Sequence, residues 1–258
     1  LINFYILINK KGFLHYKQIY YPLIAAPLTV GFGGSVGLLG PAITSGSAIS
    51  SNLSRLLHID RKTRTLLIAC ASAGAMASMF KSPIAAIVFA VEVFSLDLTF
   101  ASLLPLLIAS ISSVLTSYFF LGDDLLFNFN LTEKFTINDT VFFIILGIGT
   151  GIASLYFTKI YFAIYAFFEN FKTRFLKLVV GGFAIGIMLY FIPPLYGEGL
   201  SFTKDLFNGN YLNALGSNTF DSYIDNIWVV IALLIGFTFF KVIAMTTTFA
   251  AGGVGGIF

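Results

Sequence analysis

Charged side chains are scarce in this chain: lysine, arginine, aspartate and glutamate together make up only 10% of its 258 residues. Soluble domains usually carry about 25% charged residues. Here 57% of the residues are hydrophobic and the mean hydropathy is +0.91. This composition excludes an ordinary soluble globular domain and predicts an integral membrane protein.

Cysteine and histidine are also nearly absent. The single cysteine, Cys70, lies inside an apolar run, so no disulfide framework exists, and we interpret it as a small buried packing residue. The two histidines, His15 and His58, are far apart in sequence and have no cluster of acidic residues or cysteines beside them. We therefore expect no metal site and no cofactor.

A concentrated basic surface is missing as well. The formal net charge is +3, and the basic residues are spread over several loops. Nucleic-acid-binding proteins gather such residues in one patch or stripe, so we expect no nucleic-acid partner. The apolar segments also hold no histidine or aspartate that could activate Ser35, Ser45 or Ser47, and we expect no enzyme.

Long apolar runs dominate what is present. They show no sustained alternation of polar and apolar residues, which the strands of a membrane barrel would need. We predict an all-α, multi-pass membrane protein with helices over residues 19–36, 42–57, 65–80, 84–94, 101–121, 141–171, 175–192 and 227–245. The helix over 84–94 is too short to cross the roughly 30 Å hydrocarbon layer, which takes about 20 residues. The pattern therefore favours tilted and half-spanning helices over a simple up-and-down bundle.

The loops differ in charge. Residues 55–64 and 172–177 are basic, so the positive-inside rule places them in the cytoplasm, with residues 122–139 and 193–226 on the outer side. We treat residues 1–258 as a single transmembrane domain. Its abrupt start at Leu1, without a signal peptide, suggests an excerpt of a longer protein.

Two glycine-rich breaks interrupt the helices, at 37–41 and at 252–258. Unwound backbone persists in a membrane only where it is buried in protein or lines a cavity. A helix that begins at such a break has unpaired N–H groups and about half a positive charge, and can bind an anion. Ordinary caps or close-packing points are the alternative for one break. A pair at opposite ends of the chain favours a binding site for a transported solute.

The breaks also carry a family resemblance. The run from Val30 to Pro41, followed by 45–49 (Ser-Gly-Ser-Ala-Ile), resembles the second signature of the CLC chloride channels and proton/chloride antiporters. The stretch from Ala71 through Pro83 to Glu92 resembles the segment that follows it, and 255–258 resembles the opening of the third signature. These matches cover almost the whole chain in the family's order. The family's first signature and its pore tyrosine would lie outside this chain.

The resemblance implies a CLC-type fold, with residues 1–121 in the first inverted repeat and residues 140–258 in the second. It implies chloride or another small anion as the transported ligand, a homodimer with one pore per subunit, and a multi-pass protein in the lipid bilayer of a bacterial inner membrane. It also implies a set of residues whose amides touch the anion: Gly37, Leu38, Leu39 and Gly40 at an outer position, and Gly256, Ile257 and Phe258 at the central one.

Two departures from the family pattern bear on mechanism. The family's gate glutamate is replaced by Leu39, and its inner proton-transfer glutamate is replaced by Val93, next to Glu92. Neither leucine nor valine can take up a proton, so we expect passive anion movement. A proton-coupled antiporter that uses other residues, and a secondary transporter for another anion, remain alternatives. Glu92 is either a functional group at membrane depth or a helix end exposed to the cytoplasm, and Lys241 is expected to snorkel or pair.

Overall fold

The computed structural model describes residues 13–122, 136–137, 139–207 and 227–257, without the side chain of Ile227. Within these residues the chain forms nine α-helices: α1 (Tyr21–Gly31), α2 (Leu39–Leu56), α3 (Arg61–Phe80), α4 (Pro83–Phe94), α5 (Phe100–Leu121), α6 (Asp139–Glu169), α7 (Arg174–Phe191), α8 (Leu200–Phe207) and α9 (Ile227–Ala250). Short 3₁₀ turns cover Tyr16–Ile19 and Pro193–Leu195. The predicted all-α fold is confirmed.

Five of the described helices, α3, α5, α6, α7 and α9, are long and apolar enough to cross a membrane. In contrast, α4 has only 12 residues. At 1.5 Å per residue it extends about 18 Å, well short of the roughly 30 Å hydrocarbon layer. The predicted mixture of spanning and half-spanning helices is therefore confirmed.

The structure changes several predicted boundaries. Helix α1 ends at Gly31, because Gly33 has a φ of +96° and the chain then runs extended. Helix α3 begins at Arg61 and not at residue 65, because the Asp60 carboxylate accepts hydrogen bonds from the N–H groups of Lys62 (3.0 Å) and Thr63 (3.2 Å). The basic residues before position 65 suggested a loop, but the Asp60 cap stabilises a helix that already begins at Arg61.

Two further helical stretches were not predicted. Helix α8 lies in a segment that the sequence assigned to a polar excursion, and its Phe202 packs edge-on against Phe237 of α9, with ring centroids 5.7 Å apart. Helix α9 also continues five residues past the predicted end. Its buried threonines satisfy their hydroxyls by donating to carbonyls one turn back: Thr246, Thr247 and Thr248.

The first of two compact units comprises the described parts of Leu1–Thr29, Gly37–Phe127 and Val254–Phe258. Helix α3 lies at its centre and packs on α2, α4 and α5. Small side chains allow this close packing: Ala69, Ala73 and Ala77 are fully buried, and Cys70 lies in the same core cluster. The predicted packing role of Cys70 is thereby confirmed.

The second compact unit comprises Val30–Val36 and the described parts of Asn128–Gly253. Here α9 packs on α6 and α7. The Nζ of Lys241 donates to the carbonyl oxygens of Leu195 (3.1 Å) and Gly197 (2.6 Å), which confirms the expectation of a paired lysine. The assignment of residues 1–121 and 140–258 to two inverted repeats stays a prediction.

Helix α7 meets the end of α9 at Gly181. A Cβ atom at this position would overlap the Cβ of Ala251 and would lie 3.4 Å from Cε1 of Phe168. The next residue, Gly182, has nothing within 4 Å of its own hypothetical Cβ. The two adjacent glycines therefore provide a matched pair for testing this packing.

We expect Gly181→Ala to lower the thermal stability of the protein in detergent, because overpacking a tight contact costs about 1–3 kcal/mol. Gly182→Ala should leave the melting temperature unchanged or raise it, since alanine favours helix over glycine by roughly 0.5–1 kcal/mol. The measurement is the melting temperature of each variant. Equal effects of the two substitutions would contradict the close approach of α7 and α9.

Candidate functional site

The two glycine-rich breaks lie side by side in the first unit. The N–H of Gly37 donates to the carbonyl oxygen of Gly256 at 2.9 Å, and the N–H of Gly256 donates to the carbonyl oxygen of Gly37 at 2.7 Å. This isolated antiparallel bridge is the only strand-like pairing in the part of the chain that the structure describes. The segments that the anion-site hypothesis links are thus in direct contact.

Gly40 is required by the close approach of the two breaks. A Cβ atom on Gly40 would lie 2.7 Å from the Cα of Gly256 and 3.5 Å from its nitrogen. These neighbours are main-chain atoms, so they cannot move aside as the end of a flexible side chain could. The bridge therefore depends on the absence of a side chain at this position.

The side chain of Thr29, in α1, forms a second hydrogen-bonded contact with the break at 252–258. Its Oγ1 accepts a hydrogen bond from the N–H of Val254 at 3.1 Å and donates to the carbonyl oxygen of Ala25 at 2.9 Å. Sequence reasoning missed Thr29. A single threonine in an apolar helix usually donates to the preceding turn, and nothing in the local pattern indicates its second bond to a distant segment.

Helix α2 begins at the bridge. Leu38 is its N-cap, without a side-chain capping bond, and Leu39 is the first helical residue. Pro41 has no N–H, and Ala42 already donates to the carbonyl oxygen of Leu38 at 3.1 Å. Among the residues described, none accepts a hydrogen bond from the N–H of Leu39 or Gly40. These two donors lie where the helix dipole places its positive end.

The other residues of the predicted anion-binding set differ in their surroundings. The N–H groups of Gly37 and Gly256 each donate to the carbonyl oxygen of the other residue in the bridge. The side chain of Leu39 is buried (3% exposed), whereas Leu38 and Ile257 are 37% and 40% exposed. Phe258, the last member of the set, lies outside the described residues.

The predicted inner proton-path position is on a different helix. Val93 and Glu92 lie in the last turn of α4, which packs on α3 and α5. Val93 is partly buried and Glu92 is exposed. No ion pair with the Glu92 carboxylate is found within the described ranges. Neither the position of Leu39 nor that of Val93 holds a titratable side chain.

Comparison with known proteins identifies the family. The sequence profile described as "Voltage gated chloride channel" matches residues 5–258. The chain belongs to this family, the CLC family. The glycine-rich breaks are thus found in a family of membrane proteins whose described function is the passage of chloride.

Individual CLC relatives are moderately similar. An uncharacterized protein of Methanocaldococcus jannaschii is 29% identical over 237 residues, which cover 91% of this chain and 55% of the relative. The H(+)/Cl(-) exchange transporter ClcA of Vibrio campbellii is 26% identical over 239 residues, which cover 89% and 47% of the two chains. The chain thus spans about half the length of these curated relatives.

A solved structure supports the fold. The crystal structure of a CLC-type fluoride/proton antiporter superimposes with a TM-score of 0.75 at 21% sequence identity. The match covers 99% of this chain and 60% of the antiporter chain. The helices of this chain are therefore arranged in the CLC fold.

We expect Gly40→Ala to separate the two breaks, because the new methyl group overlaps the backbone of Gly256. Gly46→Ala on the same helix is the matched control, since its Cβ would make only ordinary contacts with Ala71 at 3.5–3.9 Å. Hydrogen–deuterium exchange of peptides that contain Gly37 or Gly256 should rise in Gly40→Ala and stay at the wild-type level in Gly46→Ala. Unchanged exchange in Gly40→Ala would show that the bridge does not depend on this contact.

Proposed function

We propose that this chain forms the core of a passive conduction path for chloride or a similar small anion, with main-chain N–H groups as the ligands. The observation that carries the proposal is the Gly37–Gly256 bridge with helix α2 starting beside it. Membership of the CLC family supports anion transport as the general activity. Two of the similar proteins are named as a chloride/proton exchanger and a fluoride/proton antiporter, and these activities are those proteins' own.

The bridge suggests a division of roles within the predicted residues. Gly37 and Gly256 hold the two breaks together, and the N–H groups of Leu39 and Gly40 face no described acceptor. We propose that these two amides contact the outer anion. Ile257, which directly follows the bridged Gly256, would contribute its amide at the central position together with Phe258, and Leu38 would line the approach.

Main-chain dipoles suit conduction better than a fixed cation would. The N-terminus of a helix carries only about half a positive charge. An ion must bind well enough to enter a pore yet weakly enough to leave it. Lys241 of the second unit already donates to two carbonyl oxygens and is not proposed as an anion ligand.

Uncoupled movement is proposed because the expected proton carriers are missing. A proton relay through a membrane needs titratable groups in succession. The gate position holds Leu39, whose side chain is buried, and the inner position holds Val93. Glu92 is a carboxylate one residue from the inner position, so a proton-coupled antiporter that uses other residues is the second candidate. Transport of another small anion is a further alternative.

The assembly is also a proposal. We infer from the CLC family a homodimer embedded in the lipid bilayer, in the inner membrane of a bacterial cell, with one anion path in each subunit. We propose no enzymatic activity, no cofactor and no nucleic-acid partner for this chain. The exposed apolar surface of helices such as α6 is compatible with contact to lipid.

Coupling can be measured directly with the full-length protein in liposomes loaded with chloride. We expect chloride efflux without accompanying proton movement, recorded with a chloride electrode and a pH electrode in the same chamber. Val93→Glu alone should not create coupling, because the buried Leu39 still lacks a proton site. A fixed ratio of chloride to protons in the wild-type protein would overturn the passive mechanism.

The role of Leu39 can be tested by restoring a carboxylate. We expect Leu39→Glu to make chloride efflux depend on pH, because an ionised glutamate beside the amides of Leu39 and Gly40 competes with the anion. Efflux should be slower at high pH and recover as the pH falls and the carboxylate is protonated. Leu53→Glu, an exposed position on the same helix, is the control and should leave the pH profile flat. A flat profile in Leu39→Glu would remove Leu39 from the anion path.

A further inference from the structure

A cavity of 710 Å³ lies in the first unit, between the start of α3 and the turn that joins α4 to α5. Arg61 and Lys62 line one side, together with the hydroxyl-bearing Thr63 and Thr65. None of the residues proposed for the anion path lines this cavity. Its lining combines cationic, hydroxyl and apolar groups, so it differs from a simple gap between helices.

The cavity lies at the ends of two candidate membrane spans. Two candidate membrane spans, Arg61–Phe80 and Phe100–Leu121, both begin beside it. The other ends of these spans also meet, because the Nζ of Lys81 donates to the carbonyl oxygen of Gly122 and lies 4.5 Å from the centre of the Tyr118 ring. The two helices therefore run parallel, with the cavity at their common N-terminal boundary.

The basic residues of this boundary indicate the side of the membrane. The positive-inside rule predicts that the loop with Arg55, Arg61, Lys62 and Arg64 faces the cytoplasm. The cytoplasmic leaflet carries anionic lipids, and basic pockets between membrane helices on that side bind their headgroups. The location and the charge of the cavity thus fit the same type of ligand.

Side chains, and not the helix dipole, supply the positive charge of the cavity. Asp60 already caps α3 by accepting bonds from the N–H groups of Lys62 and Thr63. Hydrogen bonds from the side chain and the N–H of Thr63 hold the pKa of the Asp60 carboxyl below its usual value, so the cap stays ionised. Within the lining itself, Arg61 and Lys62 carry the positive charges and Asp97 is the single carboxylate.

The apolar side of the cavity is fixed to the core by packing and by hydrogen bonds. Phe94 and Leu96 line it, and both pack against the core cluster of the first unit. The turn that carries Leu96 is closed by a hydrogen bond from its N–H to the carbonyl oxygen of Val91 at 3.0 Å. Ser102 completes the capping of α5, because its Oγ accepts a hydrogen bond from the N–H of Thr99 at 3.2 Å. An apolar wall thus lies next to the charged side of the cavity.

We propose that this cavity binds an anionic phospholipid of the cytoplasmic leaflet. The phosphodiester, with one negative charge, lies beside Arg61 and Lys62. The first part of an acyl chain packs on Phe94. The combination of charged entrance and apolar wall favours a lipid over free phosphate, which has no group for the apolar wall to contact.

Native mass spectrometry of the full-length protein in detergent tests this site, with dioctanoyl phosphatidylglycerol, dioctanoyl phosphatidylcholine and inorganic phosphate as separate probes. We expect phosphatidylglycerol to be retained in preference to phosphatidylcholine. Lys62→Gln should lower the apparent affinity for phosphatidylglycerol about fivefold, since one basic residue near the surface is worth about 1 kcal/mol. The double variant Arg61→Glu with Lys62→Glu should abolish the preference.

The control is the double variant Lys172→Glu with Arg174→Glu, which makes the same charge change at exposed residues on the same predicted side of the membrane. It should keep the wild-type preference. Equal losses in both double variants would show a general surface attraction and overturn the site. No preference in the wild-type protein, or displacement of the lipid by millimolar phosphate, would also overturn it. Lys62→Gln changes only an exposed side chain, so we expect it to keep the wild-type melting temperature. Its lower affinity for phosphatidylglycerol can then be assigned to the missing charge and not to unfolding.

Discussion

Main-chain N–H and C=O groups inside a bilayer have no water to bond, and this constraint governs the structure. Each unsatisfied group costs several kcal/mol in hydrocarbon, so unwound backbone must find partners within the protein. In this chain the two glycine-rich breaks satisfy part of that need by bonding to each other through Gly37 and Gly256. Thr29 supplies a further partner for the N–H of Val254. The N–H groups of Leu39 and Gly40, at the start of α2, have no acceptor among the described residues.

Small residues make this arrangement possible throughout the first unit. At Gly40 the absence of a side chain lets one break touch the backbone of the other. Around α3, alanines and Gly74 let the neighbouring helices approach, and the hydroxyl of Ser113 donates to the carbonyl oxygen of Gly74 at 2.6 Å. Close contact and main-chain hydrogen bonding thus replace the large side chains that fill a soluble core.

Charge is used in different ways in different parts of the chain. Lys241 lies within a membrane span and is paired with the carbonyl oxygens of Leu195 and Gly197, so its charge is balanced locally. Arg61 and Lys62 lie at the start of a span beside an open cavity, where a mobile anion can reach them. The predicted gate position holds the uncharged Leu39.

The sequence by itself determined the class of protein, the spanning helices and the half-spanning α4, because hydropathy and segment length respond directly to the bilayer. It also identified both glycine-rich breaks, through the chemistry of glycine and the family resemblance. Only the tertiary structure decided that α1 ends at Gly31, since the next residues extend to let Ser35 donate to Leu195 (2.6 Å). It likewise decided that Gly37 pairs with Gly256 and Thr29 with Val254. Such partners are distant in the chain, and no local pattern specifies which of them will meet.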